Sequence, residues 1–332
     1  MLRTEKHLRN EPPEYYLGID GDASVTTFLL TDKNLDEVRR TTLEGCNPID
    51  FGIKKTYETL YNGIKIICGD IPTNTISAFV GIAGCTEGTN KSIIKELLHR
   101  YMFFSYGNDS DAANAVKIGL ENSDGIAVIM KTESTVLSQC GGSIKRFGWY
   151  GPPFDNSFDC YELGKRSIIA TLQNEQGVLD DTEISQFLKT YVKSLGIRIK
   201  DSLVDALPEI KLRGKPFISL LAQTVFYAYN KGDKLAKEIL DNCISDLTRH
   251  IEAAAKNFDD SKKIKVVLLG NIPATFGSVI SELIKSKIKN PDKYDIFASK
   301  EDIVLGALYL AKEKGDEKKA QLKAESSKKP QE

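Results

Sequence analysis

The sequence is poor in the residues that metal sites and disulfide frameworks require. Its six cysteines are scattered and none forms a C-x-x-C pair, while its three histidines lie far apart. A zinc site needs cysteines and histidines at close spacing, so this pattern argues against a structural metal. Each cysteine is expected to be a small buried side chain in a reducing compartment. The cysteines are Cys46, Cys68, Cys85, Cys140, Cys160 and Cys243.

Long apolar runs and an excess of one charge are also missing. No apolar stretch approaches the roughly 20 residues that span a bilayer, and residues 1–10 lack the apolar core of a secretory signal. The 45 basic and 46 acidic side chains leave a net charge of −1, without the basic excess typical of a nucleic-acid binder. We therefore predict a cytoplasmic protein that has neither a membrane nor a nucleic acid as partner.

What the sequence does contain is an ordinary globular composition and a repeated order of elements. Its 332 residues, 41% hydrophobic and 27% charged, suit two domains or one large α/β unit. Three extended segments open each half of the chain, and strands and helices follow them. This order predicts two lobes, each a mixed sheet flanked by helices, and an internal duplication of architecture. The extended segments are 15–20, 26–31 and 37–42, and then 125–130, 135–139 and 143–147.

Shifts in composition indicate where the domains begin and end. Residues 1–13 are polar and end in two prolines, which predicts a flexible N-terminal arm. Glycine, asparagine and serine cluster between the halves, so we expect one lobe over 14–119 and the other over 120–312. Residues 313–332 are rich in lysine and glutamate and lack an apolar stripe, which predicts a charged flexible tail.

Short motifs follow one another in a fixed order from about residue 16 to residue 311. They are Gly18-Ile-Asp-Gly21, Gly45-Cys-Asn-Pro48, Gly81-Ile-Ala-Gly84, Asn108-Asp-Ser-Asp-Ala-Ala113, Phe147-Gly-Trp-Tyr150, Tyr161-Glu-Leu-Gly164 and Leu305-Gly-Ala-Leu308. In this order and spacing the sequence resembles the BadF/BadG/BcrA/BcrD ATPase family, and within it the N-acetylglucosamine and N-acetylmuramic acid kinases. The resemblance implies an α/β, two-lobed actin-like ATPase fold of the ribonuclease H-like kind, with a mixed five-stranded sheet flanked by helices in each lobe.

The resemblance also implies a phosphoryl-transfer site. Such a site needs backbone amides and Mg²⁺ around the phosphates of ATP, and a base near the attacking hydroxyl. By resemblance, Asp109 takes the position of the base for a sugar 6-hydroxyl, and Asp20 that of a carboxylate that helps hold Mg²⁺. The positions that match ATP-contacting residues are Asp20, Gly21, Ser24, Thr132, Ser134 and Gly270, and those that match sugar-contacting residues are Asn47, Asn108, Trp149 and Asp155.

The residue types alone leave plainer interpretations open. Asn108, Asp109 and Ser110 in sequence are also typical of a helix N-cap. Asp20 suits a turn at the end of a strand, and Asn47, directly before a proline, suits the cap of the next helix.

Two turns that the resemblance assigns to phosphate binding have lost glycines: the first keeps only Gly21 of its three, and the second keeps none. Where the family has Asp-Gly-Gly-Gly-Thr-Lys-Thr, residues 20–26 read Asp-Gly-Asp-Ala-Ser-Val-Thr, and where it has Gly-Thr-Gly-Ser, residues 131–134 read Lys-Thr-Glu-Ser. Glycine lets a backbone approach phosphate oxygens in conformations that a Cβ disfavours. Asp22 also brings a negative charge toward the negative phosphates of ATP. Two unit charges of the same sign about 4 Å apart repel by roughly 4 kcal/mol at an effective dielectric constant near 20. Glu133 is expected to neutralise Lys131.

The changed turns bear directly on the function. We expect an amino-sugar-kinase-like protein with weak or absent ATP phosphotransfer, that is, a pseudokinase that would need no cofactor. The alternative is an active ATP-dependent N-acetylglucosamine-type kinase that phosphorylates a 6-hydroxyl with ATP and Mg²⁺. The iron–sulfur activator branch of the family fits poorly, because the chain lacks its Gly-Gly-Gln-Asp turn. An amino sugar is the expected ligand, a homodimer is compatible with the resemblance, and the sequence identifies no protein partner.

Overall fold

The chain forms two compact units in the computed structural model, which describes residues 13–148, 154, 158–259 and 262–327. The first unit contains the described residues up to Glu121 and those from Asp302 onward, and the second runs from Asn122 to Glu301. The first unit is therefore discontinuous in sequence, because the chain leaves it and later returns to it.

These units differ from the expected lobes at the C-terminal end. The expected division at residue 120 lies next to the observed one, but the last helix, expected in the second lobe, belongs to the first unit. The arm expected over 1–13 lies outside the described residues except for Pro13, which is buried.

Strands and helices alternate along most of the described chain. The strands are β1 (Tyr15–Gly21), β2 (Val25–Asp32), β3 (Glu37–Glu44), β4 (Ile76–Ile82), β5 (Ser105–Asp109), β6 (Gly125–Met130), β7 (Ser134–Cys140), β8 (Ser143–Phe147), β9 (Ile264–Leu269) and β10 (Tyr294–Ala298). The α-helices are α1 (Pro48–Cys68), α2 (Asn90–Arg100), α3 (Asp111–Leu120), α4 (Cys160–Glu175), α5 (Glu183–Ser194), α6 (Leu207–Leu220), α7 (Gln223–Asn230), α8 (Lys234–Ala255), α9 (Asn271–Lys287) and α10 (Val304–Ser327). Among these described helices, none is both long and apolar enough to cross a membrane.

Each unit is built on one five-stranded mixed sheet. The strand order is β3-β2-β1-β4-β5 in the first unit and β8-β7-β6-β9-β10 in the second. In the first unit β1, β2 and β3 pair antiparallel, while β4 and β5 extend the sheet in parallel. The second unit repeats this arrangement strand for strand. The repeat confirms the predicted sheets and the predicted duplication of architecture.

The inner strands are apolar because both faces of each sheet are covered. All seven residues of β4 and all six of β6 are buried, a pattern typical of parallel strands packed between helices. In the first unit, α1 covers one face and α10 the other. Half of the eight residues of the edge strand β3 are charged and the strand is partly exposed, which suits a strand at the edge of a sheet.

The second unit has its own core beneath α8. Ile244, Leu247 and Ile251 of this helix are fully buried, and their spacing puts them on one helical face. The rings of Phe226 and Phe276 stack with their centroids 4.9 Å apart in the same cluster. The core of this unit thus comes entirely from residues between Asn122 and Glu301.

The charged C-terminal segment is helical where a flexible tail was expected. α10 continues to Ser327, and residues 328–332 lie outside the described part of the chain. Lys312 pairs with Asp316 at 2.7 Å, and Lys314 with Glu317 at 2.8 Å, each about one turn apart. Such pairs support exposed helices, and alanine, lysine and glutamate are strong helix formers. A segment without an apolar stripe can therefore continue a helix that is anchored at its start.

Candidate functional site

The carboxyl ends of three neighbouring parallel strands carry the predicted base, Asp109, and the carboxylate predicted to hold Mg²⁺, Asp20. Asp20 on β1 is in register with Gly81 of β4, and Gly81 is in register with Asp109 of β5. Neighbouring strands lie about 4.8 Å apart, so the two aspartates are roughly 10 Å apart at the backbone. Ligands of α/β sheets bind outside the carboxyl ends of strands, which makes this row a candidate site.

The Asp109 side chain is held by two contacts and still reaches solvent. Its Oδ1 accepts a hydrogen bond from the Ser110 amide at 2.8 Å, and its Oδ2 accepts one from Nζ of Lys91 at 2.7 Å. The side chain is 39% exposed. The N-cap residue of α3 is Ser110, so Asp109 does not cap this helix. An oriented, accessible carboxylate of this kind can serve as a general base.

Asn108 faces inward rather than toward solvent. It is 8% exposed, and its Nδ2 donates to the carbonyl of Lys91 at 2.8 Å and to Sγ of Cys85 at 3.5 Å. These bonds tie the end of β5 to the start of α2 and to the loop that follows β4. Asn108 therefore supports the Asp109 backbone, and its contact with a sugar stays a prediction.

Asn47 caps α1, as its residue type alone suggests. It is 2% exposed, its Oδ1 accepts from the Ile49 amide at 3.0 Å, and its Nδ2 donates to the Asp50 carboxylate at 2.7 Å. Gly84, at φ +72°, lies against Oδ1, where a Cβ would overlap the asparagine. The sugar contact predicted for Asn47 stays a prediction.

Asn114, on α3, is a site residue that sequence reasoning missed. Its Nδ2 donates to Oδ1 of Asp20 at 2.8 Å, to the Gly81 carbonyl at 3.2 Å and to the Ile19 carbonyl at 3.4 Å. A Cβ at Gly81 would overlap this side chain. Asparagine is a poor residue for the buried face of a helix, and that mismatch is the signal by which it could have been found.

The turn between β1 and β2 already holds an anionic oxygen. Oδ1 of Asp22 accepts from the amide of Ser24 at 2.6 Å, from the Ser24 hydroxyl at 2.5 Å and from the amide of Val25 at 3.1 Å. Successive amides that converge in this way form an anion-binding turn. The amides of this turn therefore bind an anionic oxygen, which the chain's own Asp22 supplies, and the contact with ATP predicted for Ser24 stays a prediction.

The other residues of this turn pack against the interior. Ala23 is 7% exposed, and Gly45 lies so close to its carbonyl that a Cβ there would overlap it. Gly21 lies against Sγ of Cys46. The glycine that the family has at position 23 is thus replaced by a buried alanine.

Hydrogen bonds to residues 158–161 hold the 131–134 turn of the second unit in place. The Ser134 amide donates to Oδ1 of Asp159 at 2.7 Å, and Asp159 is 2% exposed. The Ser134 hydroxyl donates to the Phe158 carbonyl at 3.2 Å, and the Tyr161 amide donates to the Thr132 carbonyl at 3.2 Å. Thr132 and Ser134 are both buried, so their contacts lie within the protein and join this turn to the start of α4.

Glu133 has a different partner from the one expected. Its carboxylate forms an ion pair with Nζ of Lys215 on α6, and both side chains are mostly buried. The Lys215 ammonium also lies 5.4 Å from the centre of the Tyr161 ring. Gly214, at φ +69°, breaks the helix directly before this lysine. The negative charge of Glu133 is therefore neutralised by Lys215, a residue that sequence reasoning missed.

Gly270 begins α9 at the end of β9. Its φ of +116° and its closeness to the Met130 carbonyl leave no room for a Cβ, so glycine is required here. The contact with ATP predicted for Gly270 stays a prediction. Trp149 and Asp155, two of the predicted sugar-contacting residues, lie outside the described residues.

The donors in the first unit suit Mg²⁺ better than a soft metal. Within the described chain no group of three or more histidine, cysteine or carboxylate side chains could hold a metal ion. Burial raises the pKa of the Cys46 thiol to about 12 and that of Cys85 to about 11, so both remain protonated and unreactive. Mg²⁺ is typically held by one or two carboxylates together with phosphate oxygens and water, and Asp20 fits that role.

Comparison with protein families yields one match that spans most of the chain. The BadF/BadG/BcrA/BcrD ATPase family matches residues 17–311. This range contains the row of Asp20, Gly81 and Asp109 and both turns.

Relatives and solved structures match along nearly their whole length. The N-acetylmuramic acid/N-acetylglucosamine kinase of Clostridium acetobutylicum is 24% identical over 319 residues, which cover 91% of this chain and 100% of the relative. The N-acetyl-D-glucosamine kinase of Dictyostelium discoideum is 24% identical over 318 residues, which cover 90% and 98%. Structures described as N-acetylglucosamine kinases from Chromobacterium violaceum and Porphyromonas gingivalis superpose with TM-scores of 0.66 and 0.67 at 16% and 17% identity, over 90% of this chain and 99% and 97% of theirs. These structures confirm the predicted actin-like ATPase fold.

Proposed function

Because the chain belongs to the BadF/BadG/BcrA/BcrD ATPase family, we propose that it transfers a phosphoryl group from ATP to the 6-hydroxyl of an N-acetylated amino sugar. The observation that carries the proposal is the row of Asp20, Gly81 and Asp109 at the carboxyl ends of three parallel strands. The row offers one carboxylate for a metal ion and one for a hydroxyl, with a glycine between them. The names of the two relatives support this substrate class.

Asp109 is the proposed general base. Its Oδ2 would accept the proton of the 6-hydroxyl while the hydroxyl oxygen bonds to phosphorus and the bond from that phosphorus to the leaving ADP oxygen breaks. Asp20, oriented by Asn114, would hold Mg²⁺. When bound, the ion neutralises charge on the phosphates.

The 21–25 turn is the proposed phosphate contact in the first unit. The amides of Ser24 and Val25 converge on one carboxylate oxygen, and a phosphate oxygen would bind them in the same way. Because Asp22 supplies that oxygen now, a triphosphate has to displace its side chain. Asp22 thus competes with the nucleotide for these amides and weakens its binding without preventing it.

Product formation by the purified protein tests the proposal. With ATP, Mg²⁺ and N-acetylglucosamine or N-acetylmuramic acid, the protein should form ADP and sugar 6-phosphate in equal amounts. Asp109→Asn should lower kcat roughly 100-fold or more, since a general base contributes about 10²–10⁴-fold. Asp36→Asn, which changes an exposed carboxylate between β2 and β3, is the matched control. Absence of sugar-dependent ADP formation at high protein concentration would reject the proposal.

The contacts of Asp22 favour a second candidate, an amino-sugar-binding pseudokinase. If the carboxylate is never displaced, the protein keeps the sugar site of the first unit and loses transfer from ATP. This candidate rests on the hydrogen bonds from Ser24 and Val25 to Asp22. The family and the named relatives support the active kinase instead.

Asp22→Gly separates the two candidates by calorimetric titration with ATP and Mg²⁺. Removal of a competing carboxylate should tighten binding by roughly tenfold or more. Protein that binds the sugar, but binds ATP only after this substitution, is the pseudokinase. Tight binding by the unaltered protein, with no gain in the variant, would show that Asp22 does not compete.

A further inference from the structure

Lys91 contacts both residues of the pair that ends β5, and the family resemblance assigns it no role. Its Nζ donates to Oδ2 of Asp109 at 2.7 Å, and its carbonyl accepts from Nδ2 of Asn108 at 2.8 Å. It is the second residue of α2, and 49% of its side chain is exposed. One residue thus fixes the candidate base and presents an accessible ammonium group beside it.

Helix stability does not account for a lysine at this position. The first turn of a helix carries a partial positive charge, so a cation there is unfavourable. An ion pair as exposed as that of Lys91 and Asp109 contributes little to folding. A ligand with a negative charge that binds the Lys91 ammonium explains the lysine better.

The Lys91 ammonium has hydrogen-bonding capacity beyond its contact with Asp109. An ammonium group carries three N–H donors, and in the described part of the chain Asp109 is the acceptor that Nζ contacts. The phosphate turn, by contrast, has Val25 where the resembled family has a lysine. The chain therefore lacks the lysine of the phosphate turn but has a different lysine, Lys91, next to the proposed base Asp109.

We propose that Lys91 binds the phosphoryl group carried by the 6-oxygen of the amino sugar, so that the site recognises an N-acetylated amino sugar 6-phosphate. The inference rests on the proposed function for the sugar and for the position of its 6-oxygen beside Asp109. A carboxylate alone repels a phosphate dianion, and Lys91 offsets that repulsion with charge-assisted hydrogen bonds. This recognition requires no transfer from ATP.

Calorimetric titration with three probes tests the role of Lys91. The probes are N-acetylglucosamine 6-phosphate, N-acetylglucosamine and inorganic phosphate. Lys91→Met should weaken binding of the sugar phosphate roughly tenfold to hundredfold, the loss expected for hydrogen bonds to a charged group, and should leave binding of the plain sugar within about twofold. Lys91→Arg, which keeps the positive charge, should retain part of the affinity for the sugar phosphate. Lys95→Met, an exposed lysine one turn further along α2, is the matched control and should change neither affinity.

Several results would overturn the inference. Equal weakening of sugar and sugar phosphate would mean that Lys91 acts only by supporting Asn108 and Asp109. If Lys91→Met leaves both affinities unchanged, or if the unaltered protein binds neither the sugar nor the sugar phosphate, the proposed site does not exist. Binding of inorganic phosphate as tightly as the sugar phosphate would show that the sugar is not recognised. Circular dichroism of each variant confirms that it is folded.

The same titrations distinguish this inference from the proposed function. If the protein forms no ADP but binds the sugar phosphate in a way that depends on Lys91, the proposed kinase activity is refuted and the proposed role of Lys91 is supported. Sugar-dependent ADP formation with a sugar phosphate affinity that Lys91→Met does not change would keep the kinase and refute the role of Lys91.

Discussion

Asn114 shows how one side chain can join several parts of the first unit. It is fully buried, its Nδ2 donates to Asp20, Gly81 and Ile19, and its Oδ1 lacks a hydrogen-bond partner within the described residues. A buried oxygen without a partner costs about 1–3 kcal/mol. Packing alone would be served as well by an apolar side chain. The amide instead holds the Asp20 carboxylate in one direction.

Gly81→Ala should destabilise the protein by about 1–3 kcal/mol, because the added methyl group overlaps the Asn114 side chain. In an Asn114→Ala background the same change should cost less, since the overlapping amide is gone. Urea unfolding of the four proteins measures the difference. An equal cost in both backgrounds would mean that Asn114 is not what restricts position 81.

Among the helices and loops, the connection between α5 and α6 depends on one carboxylate from α4. Glu175 accepts hydrogen bonds from the Ser202 hydroxyl at 2.6 Å and the Leu203 amide at 3.0 Å, and pairs with Lys189 at 3.2 Å. Burial acts to raise the pKa of Glu175, but the hydrogen bonds from Ser202, Leu203 and Lys189 outweigh it and lower the pKa from its ordinary value. The ionised form is therefore the one that stabilises this loop.

Glu175→Gln should cost roughly 1–3 kcal/mol of unfolding free energy at neutral pH. A carboxylate whose pKa is lowered by folding stabilises the protein above its unfolded pKa, about 4.3, and this contribution is lost as the pH falls through the folded value. The difference between the two proteins should thus shrink between about pH 7 and about pH 3. Guanidinium unfolding at both pH values checks this, with the exposed Glu183→Gln as control. A difference that stays constant with pH would contradict the assignment.

For the whole molecule, the first unit depends on a helix from the far end of the chain. Val304, Ala307 and Leu308 of α10 are buried against Tyr16 and Phe79. Without α10 one face of the β1–β5 sheet would be exposed to water, and burial of large apolar side chains is the main favourable contribution to folding.

A chain that ends at Glu301 should therefore lose cooperative unfolding of the first unit, whereas residues 122–301 expressed alone should fold. Chemical unfolding followed by circular dichroism compares the two fragments with the full chain. Retention of the full unfolding signal by the shortened chain would show that α10 is dispensable.

The sequence was a good guide to the sheets and a poor guide to α10. Runs such as that of β4 are apolar at every position, so local pattern was sufficient to predict them. Composition does not say which sheet a helix covers, and so α10 was expected in the second lobe. The helix beyond residue 313 was missed because its ion pairs, such as Lys312 with Asp316, stabilise it without an apolar stripe.

The resemblance pointed to the two carboxylates of the candidate site but not to the residues that orient them. Asp20 and Asn114 are 94 residues apart in sequence, and Glu133 and Lys215 are 82 apart, so no local pattern connects them. The contact of Asp22 with Ser24 spans two residues and was accessible to sequence reasoning, since aspartate commonly accepts hydrogen bonds from amides just beyond it.

The return of the chain at Asp302 also determines when each unit can be completed during synthesis. Strands β1–β5 emerge from the ribosome before the second unit, whereas α10 emerges only after the whole of it. Domains usually fold in the order in which they are translated. In this protein the uninterrupted second unit can finish folding first, while the sheet of the first unit stays partly uncovered until α10 has been synthesised.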